Sequence, residues 1–206
     1  MFIVLDGSDG VGKSTQVGLL ADWLRSLGRQ VVTCRDPGST PLGEAIRALL
    51  LDRHDLRMVP QAEMLLYMAA RAQMVEEMIR PALAAGQSVV SDRYLLANVV
   101  YQGYGAGLEV ETLWEIGRVA TGGLMPDLTI VLDVPPEVAQ HRLGDKRDRM
   151  EARPLDFHAR VRQGFLQEAS RNPERIVVID ATGSIAQVHQ QIQQILRQRS
   201  LVGRTP

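Results

Sequence analysis

Residues 1–15, Met1-Phe2-Ile3-Val4-Leu5-Asp6-Gly7-Ser8-Asp9-Gly10-Val11-Gly12-Lys13-Ser14-Thr15, decide the fold. Phe2 to Leu5 is a short apolar run ending in an acid. Gly7 to Ser14 then fits G-x-x-x-x-G-K-[ST] at every fixed position. Glycines let the backbone curl so that successive N–H groups converge on phosphate oxygens, and the helix that follows adds its positive end. Lys13 supplies a compact charge for the β- and γ-phosphates, and the Ser14 hydroxyl suits Mg²⁺. A chance match is the plain alternative, but strand, loop and helix signals fall in the required order. The stretch points to a nucleoside triphosphate held with Mg²⁺, with Gly7 through Thr15 as its cradle.

The rest of the chain repeats strand and helix in alternation. Helices are expected over 14–27, 40–50, 60–85 (bent or broken near Pro81), 108–121, 136–143, 157–169 and from Ser184 onward. Further apolar runs fall at 30–34, 88–91, 128–134 and 176–179. Gly103, Gly105 and Gly107 are expected to break the segment that carries Asn98, Tyr101 and Gln102. This pattern predicts an α/β fold in three layers, α/β/α, with a five-stranded parallel sheet flanked by helices. One domain over 1–206 is expected, with a charged segment at about 142–154 and a frayed tail at 200–206. Ligands of such sheets gather at the carboxyl ends of the strands. Four runs end there in Asp6, Asp92, Asp133 and Asp180, two of them expected to be solvated strand ends. Asp92, followed at once by Arg93, is the candidate metal carboxylate beside Ser14.

With 206 residues, 45% of them hydrophobic, a sizeable core is available. A net charge of −1 makes no global electrostatic case for nucleic acid or an anionic membrane. No apolar run nears the ~18 residues of a membrane span, and no leader is evident, so the cytoplasm is the expected location. The one cysteine, Cys34, reads as a core residue in a reducing compartment. The four histidines show no metal-ligand spacing. Cations are 21 Arg and two Lys, so a lone arginine says little here. The variable loop positions Ser8 to Val11 hold no arginine. Phosphoryl transfer needs positive charge, so Arg142, Arg147 or Arg149 from the charged segment is the candidate source, a solvated charge run being the alternative. An N-K-x-D base-reading segment is absent.

Several short stretches resemble bacterial thymidylate kinases. They are Arg35-Asp36-Pro37-Gly38, residues 46–51, Ala69-Ala70-Arg71-Ala72-Gln73, Asp92-Arg93-Tyr94, Tyr101-Gln102-Gly103, Pro126-Asp127-Leu128 and Asp148-Arg149-Met150-Glu151, together with Asp9 inside the loop. The likeness runs from Ile3 to about Ile195. It implies transfer from Mg·ATP to dTMP, giving dTDP, and a homodimer. It implies that Asp9 meets the acceptor sugar's 3′-hydroxyl, that Arg47 and Arg93 hold the acceptor phosphate, and that Pro37 walls the pocket. Tyr67 takes the place of a stacking Phe, Arg71 and Asn98 read the base edge, Tyr101 excludes a 2′-hydroxyl, and Gln102 lies beside the base. Catalytic roles fall to Lys13, Arg93, Arg147 and Arg149, and Arg142 joins the ATP side. The chain departs from the pattern at Asp36, Ser39 and Tyr67, where Glu, Gly and Phe are usual. Another deoxynucleotide or deoxynucleoside kinase, or a nucleotide-binding switch without transfer, are the alternatives.

Overall fold

The computed structural model describes residues 1–53, 55–143 and 148–202. Five strands, β1 (Phe2–Asp6), β2 (Val31–Arg35), β3 (Ser88–Asp92), β4 (Leu128–Asp133) and β5 (Ile176–Asp180), form one sheet. Their order is β2-β3-β1-β4-β5, and every pairing is parallel. The strands β1 and β3 are buried throughout, and β1 accordingly reads as an unbroken apolar run up to Asp6. Leu5 and Arg35 both pair with Asp92, so β1, β2 and β3 end level with one another. That shared rim carries the site.

Helices cover both faces. On one, α1 (Lys13–Ser26) and α9 (Ile185–Gln198) close a core of Leu20, Leu24, Ile130, Leu132, Ile192 and Leu196. The other face is built from α3 (Pro60–Met74), α4 (Arg80–Ala84), α5 (Leu95–Asn98), α6 (Val110–Ala120) and α8 (Leu155–Arg171), with α2 (Pro41–Leu51) at the side and α7 (Pro136–Arg142) beside α8. Thr40 caps α2 by accepting from Gly43 N at 2.9 Å, and Ser184 caps α9 in a reciprocal pair with Gln187.

One expectation needs correction, at Gly103. The stretch through Pro81 is irregular but unbroken. A π-helical turn at Val75–Ile79 joins α3 to α4, and the wider turn accommodates a residue that lacks an N–H. Gly103 does not stop the helix after Asn98, which continues as a π-helix over Val99–Gly105 and ends there, with Gly107 just beyond at φ 84°. Gly103 and Gly105 also permit close packing. A Cβ on Gly105 would lie 2.7 Å from the Phe157 ring, and one on Gly103 would lie 3.1 Å from Leu113. The described end of the charged segment is tied down by local bonds. Asp148 accepts from Met150 N at 2.7 Å and Glu151 N at 2.9 Å, while the Met150 side chain is buried. Residues 144–147, with Lys146 and Arg147, lie outside the described residues.

Candidate active site

The loop after β1 makes its turn with three glycines at positive φ: Gly7 (131°), Gly10 (78°) and Gly12 (95°). At two of them a side chain is excluded outright. A Cβ on Gly7 would sit 2.4 Å from the Leu132 carbonyl oxygen, and one on Gly10 would sit 2.3 Å from that of Ala139. The loop is thus pressed between β4 and α7, and its backbone faces a cavity of about 650 Å³. That cavity is lined by Asp9 through Gln16 on one side and by Arg142, Ala181, Gly183 and Ser184 on the other. Arg142 donates to the carbonyls of Ala181 (3.1 Å) and Thr182 (3.3 Å), which holds its guanidinium across the far end.

Lys13 points back over the loop, its Nζ donating to the Ser8 carbonyl at 2.5 Å. Burial draws its pKa down to about 8, so the side chain stays largely an ammonium near neutral pH but is poorly solvated until an anion arrives. Ser14 Oγ donates to Asp92 Oδ2 at 2.6 Å. Both oxygens line the cavity, and a hard cation shared with nucleotide phosphates needs only one or two such protein ligands. The residues therefore fit Mg²⁺.

A second cavity lies deeper, between Pro37, Tyr67, Arg71, Ala97, Asn98, Tyr101 and Gln102. Asp9, Asp36, Arg47, Arg93 and Asp148 line both spaces and so form the junction. Arg93 adopts φ 69°, a left-handed conformation costly for a side chain of its size, and this turns its guanidinium into the junction. There it donates to Gly7 O (2.8 Å), to Tyr101 Oη (3.1 Å) and to Asp9 Oδ1. Tyr101 donates in turn to Asp9 Oδ2 at 2.7 Å. Burial would raise Asp9, but Arg93, Lys13 and the Tyr101 hydroxyl outweigh it and hold the carboxyl at about 2. Asp6, one strand end away and fully buried, goes the other way. Burial lifts it to about 6 against the pull of Arg93, and its Oδ2 has no partner among the described residues.

Arg47 reaches the junction from α2, steadied by the Pro37 carbonyl at 3.0 Å. Arg71 is 1% exposed and forms a buried ion pair with Asp36 at 2.5 Å. Its Nη1 donates to Asn98 Oδ1 (3.0 Å), and Asn98 Nδ2 donates to Gln102 Oε1 (2.7 Å). Tyr67, half-buried, walls the cavity, and its hydroxyl finds no hydrogen-bond partner among the described residues. Ser39, where the family pattern has Gly, keeps the left-handed φ of 69°. Its hydroxyl accepts from Arg35 N at 2.7 Å, a local bond that offsets part of the cost.

The structure thus brings together the loop, Asp9, Pro37, Arg47, Tyr67, Arg71, Asp92, Arg93, Asn98, Tyr101, Gln102 and Arg142. Arg149, also expected at the transferring phosphate, here donates to the Leu50 carbonyl (2.7 Å) and to Glu63, a carboxylate buried on α3, and it lines neither cavity. Sequence reasoning also passed over Arg35, Asp148 and Glu151 at the first cavity and Glu63 behind the second. The first three carried a faint signal inside quoted stretches. Glu63 carried none, reading as an ordinary acid in the first turn of a helix. Asp133 and Asp180 are structural: Asp133 takes both arms of Arg162 (2.7 and 2.8 Å), and Asp180 accepts from Thr182 N.

A phosphate loop, a lysine, a Ser–Asp cation pair and an adjoining arginine-lined second cavity define a phosphotransferase with separate places for donor and acceptor. Residues 5–192 match the family model for thymidylate kinase. The chain is 52% identical over 190 residues to the thymidylate kinase of Rhodopirellula baltica, covering 92% of this chain and 77% of that one. It is 49% identical to that of Synechococcus sp. JA-3-3Ab, covering 98% and 97%. The crystal structure of thymidylate kinase from Ehrlichia chaffeensis superposes with a TM-score of 0.79 at 31% identity, covering 95% of this chain and 98% of that one. This chain belongs to the thymidylate kinase family.

Proposed function

We infer that this protein transfers the γ-phosphoryl group of Mg·ATP to dTMP, giving dTDP and ADP. The observation that carries the reading is the meeting of two cavities at Asp9 and Arg93, one floored by loop amides and one walled by side chains suited to a base. A nucleotide switch would need no second cavity. The ATP phosphates lie on the backbone N–H groups from Asp9 to Thr15, with Lys13 against the β- and γ-oxygens and Arg142 near the adenine end. Ser14 and Asp92 would hold Mg²⁺, which when bound neutralises charge on the phosphates.

The acceptor enters with its base against Tyr67, its edge facing Arg71 and Asn98, Gln102 beside it, and Pro37 along the wall. Arg47 and Arg93 take its phosphate. A phosphomonoester is already largely dianionic at pH 7, its second pKa being near ~6, so no general base is required. Asp9 stays charged and receives the 3′-hydroxyl, and Tyr101 above it leaves no room for a 2′-hydroxyl. Arg93, held by Asp9, is pre-aimed at the junction, and catalysis consists of positioning and charge stabilisation. A further cation from the charged segment falls to Arg147, since Arg149 is bound on Glu63.

The same reading extends to the assembly and its place in the cell. Leu42 on α2, Leu65 on α3 and Val119 on α6, with α3 packed against both α2 and α6, leave large apolar side chains at the surface and suit a homodimer. No helix among the described residues is long and apolar enough to cross a membrane. A cytoplasmic site matches the substrates and the single buried thiol of Cys34. Incubation with Mg·ATP and a panel of nucleosides and monophosphates tests the activity. ADP formation only with dTMP is expected, and the absence of any acceptor-dependent turnover would remove the reading. Light scattering on the purified chain reads its oligomeric state, and cell fractionation reads its location.

A further inference from the structure

Glu63 lines neither the donor nor the acceptor cavity, yet it is 2% exposed and carries two close partners. Its Oε1 accepts from Gln102 Nε2 at 2.8 Å, and its Oε2 accepts from Arg149, whose Nε is bound to the Leu50 carbonyl. Gln102 accepts from Asn98, and Asn98 accepts from Arg71, which is paired with Asp36. The result is an unbroken line of buried polar groups from the end of β2 to the turn at 148–151.

The line has a direction. An amide can present oxygen or NH₂ to a neighbour, so neither Asn98 nor Gln102 orients itself. The ends decide. Arg71 can only donate and an ionised carboxylate can only accept, so Asn98 must turn its oxygen to Arg71 and Gln102 its NH₂ to Glu63. If position 63 held an amide, its NH₂ would have to face either Gln102 or Arg149, a donor against a donor, and turning Gln102 to relieve that would only move the mismatch to Asn98. A base edge is itself a pattern of donors and acceptors, so discrimination depends on which amide atom faces it.

We propose that Glu63 is a positioning residue for base selection: from behind the pocket its two acceptor oxygens hold Gln102 and Asn98 in the amide direction that Arg71 demands, and through Arg149 they tie that setting to the turn at 148–151. This rests on the reading of the second cavity as the dTMP pocket. Glu63 touches no substrate and acts only through its neighbours.

The test is Glu63→Gln, which keeps shape and removes the one-way acceptor. Initial rates with Mg·ATP are compared for dTMP and for dCMP, whose edge exchanges donor and acceptor at the ring positions concerned. With a mis-set amide leaving polar groups unpaired, the KM for dTMP should rise about tenfold and the dTMP-over-dCMP ratio of kcat/KM should fall about tenfold, with kcat for dTMP within about twofold. A purely structural role would lower the melting temperature or the active fraction, hence kcat, and leave KM and the ratio alone. That outcome overturns the proposal. Should E63Q not fold, Glu63→Asp keeps the charge against Arg149 but draws the carboxylate back from Gln102, and the same two changes are expected in smaller measure. Wild-type KM and ratio in the variant that folds would overturn the proposal alone. A wild type with no dTMP-dependent ADP formation would remove the kinase reading and this inference with it.

Discussion

The loop at Gly7–Ser14 and the pocket around Arg71 meet at Asp9 but hold their ligands by opposite means. The loop binds with backbone: consecutive N–H groups, three glycines at positive φ and one lysine, all within eight residues of sequence. The pocket binds with side chains brought from seven places besides the loop: the end of β2, α2, α3, the turn after β3, α5, the π-helix at 99–105 and the turn at 148–151. Backbone geometry tolerates many changes around it, because amides belong to every residue. A pocket of buried side chains depends on each partner, because a charge or amide left alone in a low dielectric is costly. The two halves should therefore fail differently when damaged.

The largest difference is expected at Lys13. Lys13→Met should lower kcat with dTMP by about 10³-fold while the melting temperature changes little, since the loop's fold is backbone-made. A variant that keeps near wild-type kcat would remove the loop's claim to the chemistry. Next comes Arg71→Met, which leaves Asp36 buried without its ion-pair partner and should cost about 3–5 kcal/mol of stability. Burial already raises the Asp36 pKa even with Arg71 present. The penalty should accordingly shrink as pH falls toward 5 and the carboxyl protonates, which thermal melts across pH would read. An equal loss at pH 5 and pH 8 would assign the cost to packing instead.

Asp6 and Asp9 offer a sharper contrast inside the loop itself. The folded pKa of Asp6, about 6, lies above its ordinary value of 3.8, so the native state holds its proton more tightly. Its burden is absent below about pH 4, grows as pH rises to 6, and is complete above that. Relative to Asp6→Asn, the wild type should lose roughly 3 kcal/mol over that interval. Asp9, held at about 2, has the opposite sign: its contribution is present above its ordinary value of 3.8 and fades as pH falls toward 2. Denaturant midpoints for D6N and D9N against the wild type, taken from pH 3 to 7, would show the two trends or erase the distinction. The smallest effect is expected at Arg142, whose bonds are to carbonyls at the cavity edge. Arg142→Ala should raise the KM for ATP about fivefold and leave that for dTMP unchanged. A shift in both would mean that the two cavities are less separate than they look.

Much of the fold was legible because its signals are short-range. The strand-loop-helix opening, the Thr40 and Ser184 caps and the apolar runs of β1, β3 and β4 each announce themselves within a few residues. The misreadings have a common source. Pro81 and Gly103 are ordinary helix breakers by local rules, yet here a π-turn precedes the proline in an unbroken helix, and Gly103 sits inside one where Leu113 presses against it. Packing overrode propensity at Gly103. The resting place of Arg149 was illegible for a related reason: an arginine's destination depends on which carboxylate it meets, and Glu63 lies 86 residues away in the chain.

By itself the sequence determined the phosphate loop and its cation pair, the alternation that yields a parallel sheet, and, through its resemblance, the residues that gather in the acceptor pocket. These follow from residue type and spacing along the chain. The tertiary structure alone decided that Arg93 takes a left-handed backbone to reach the junction, that Asp6 and Asp9 titrate in opposite directions, and that Glu63 stands behind the base-reading amides. Each of those depends on which groups share a buried volume. Burial and partnership are properties of the folded chain, and no local pattern encodes them.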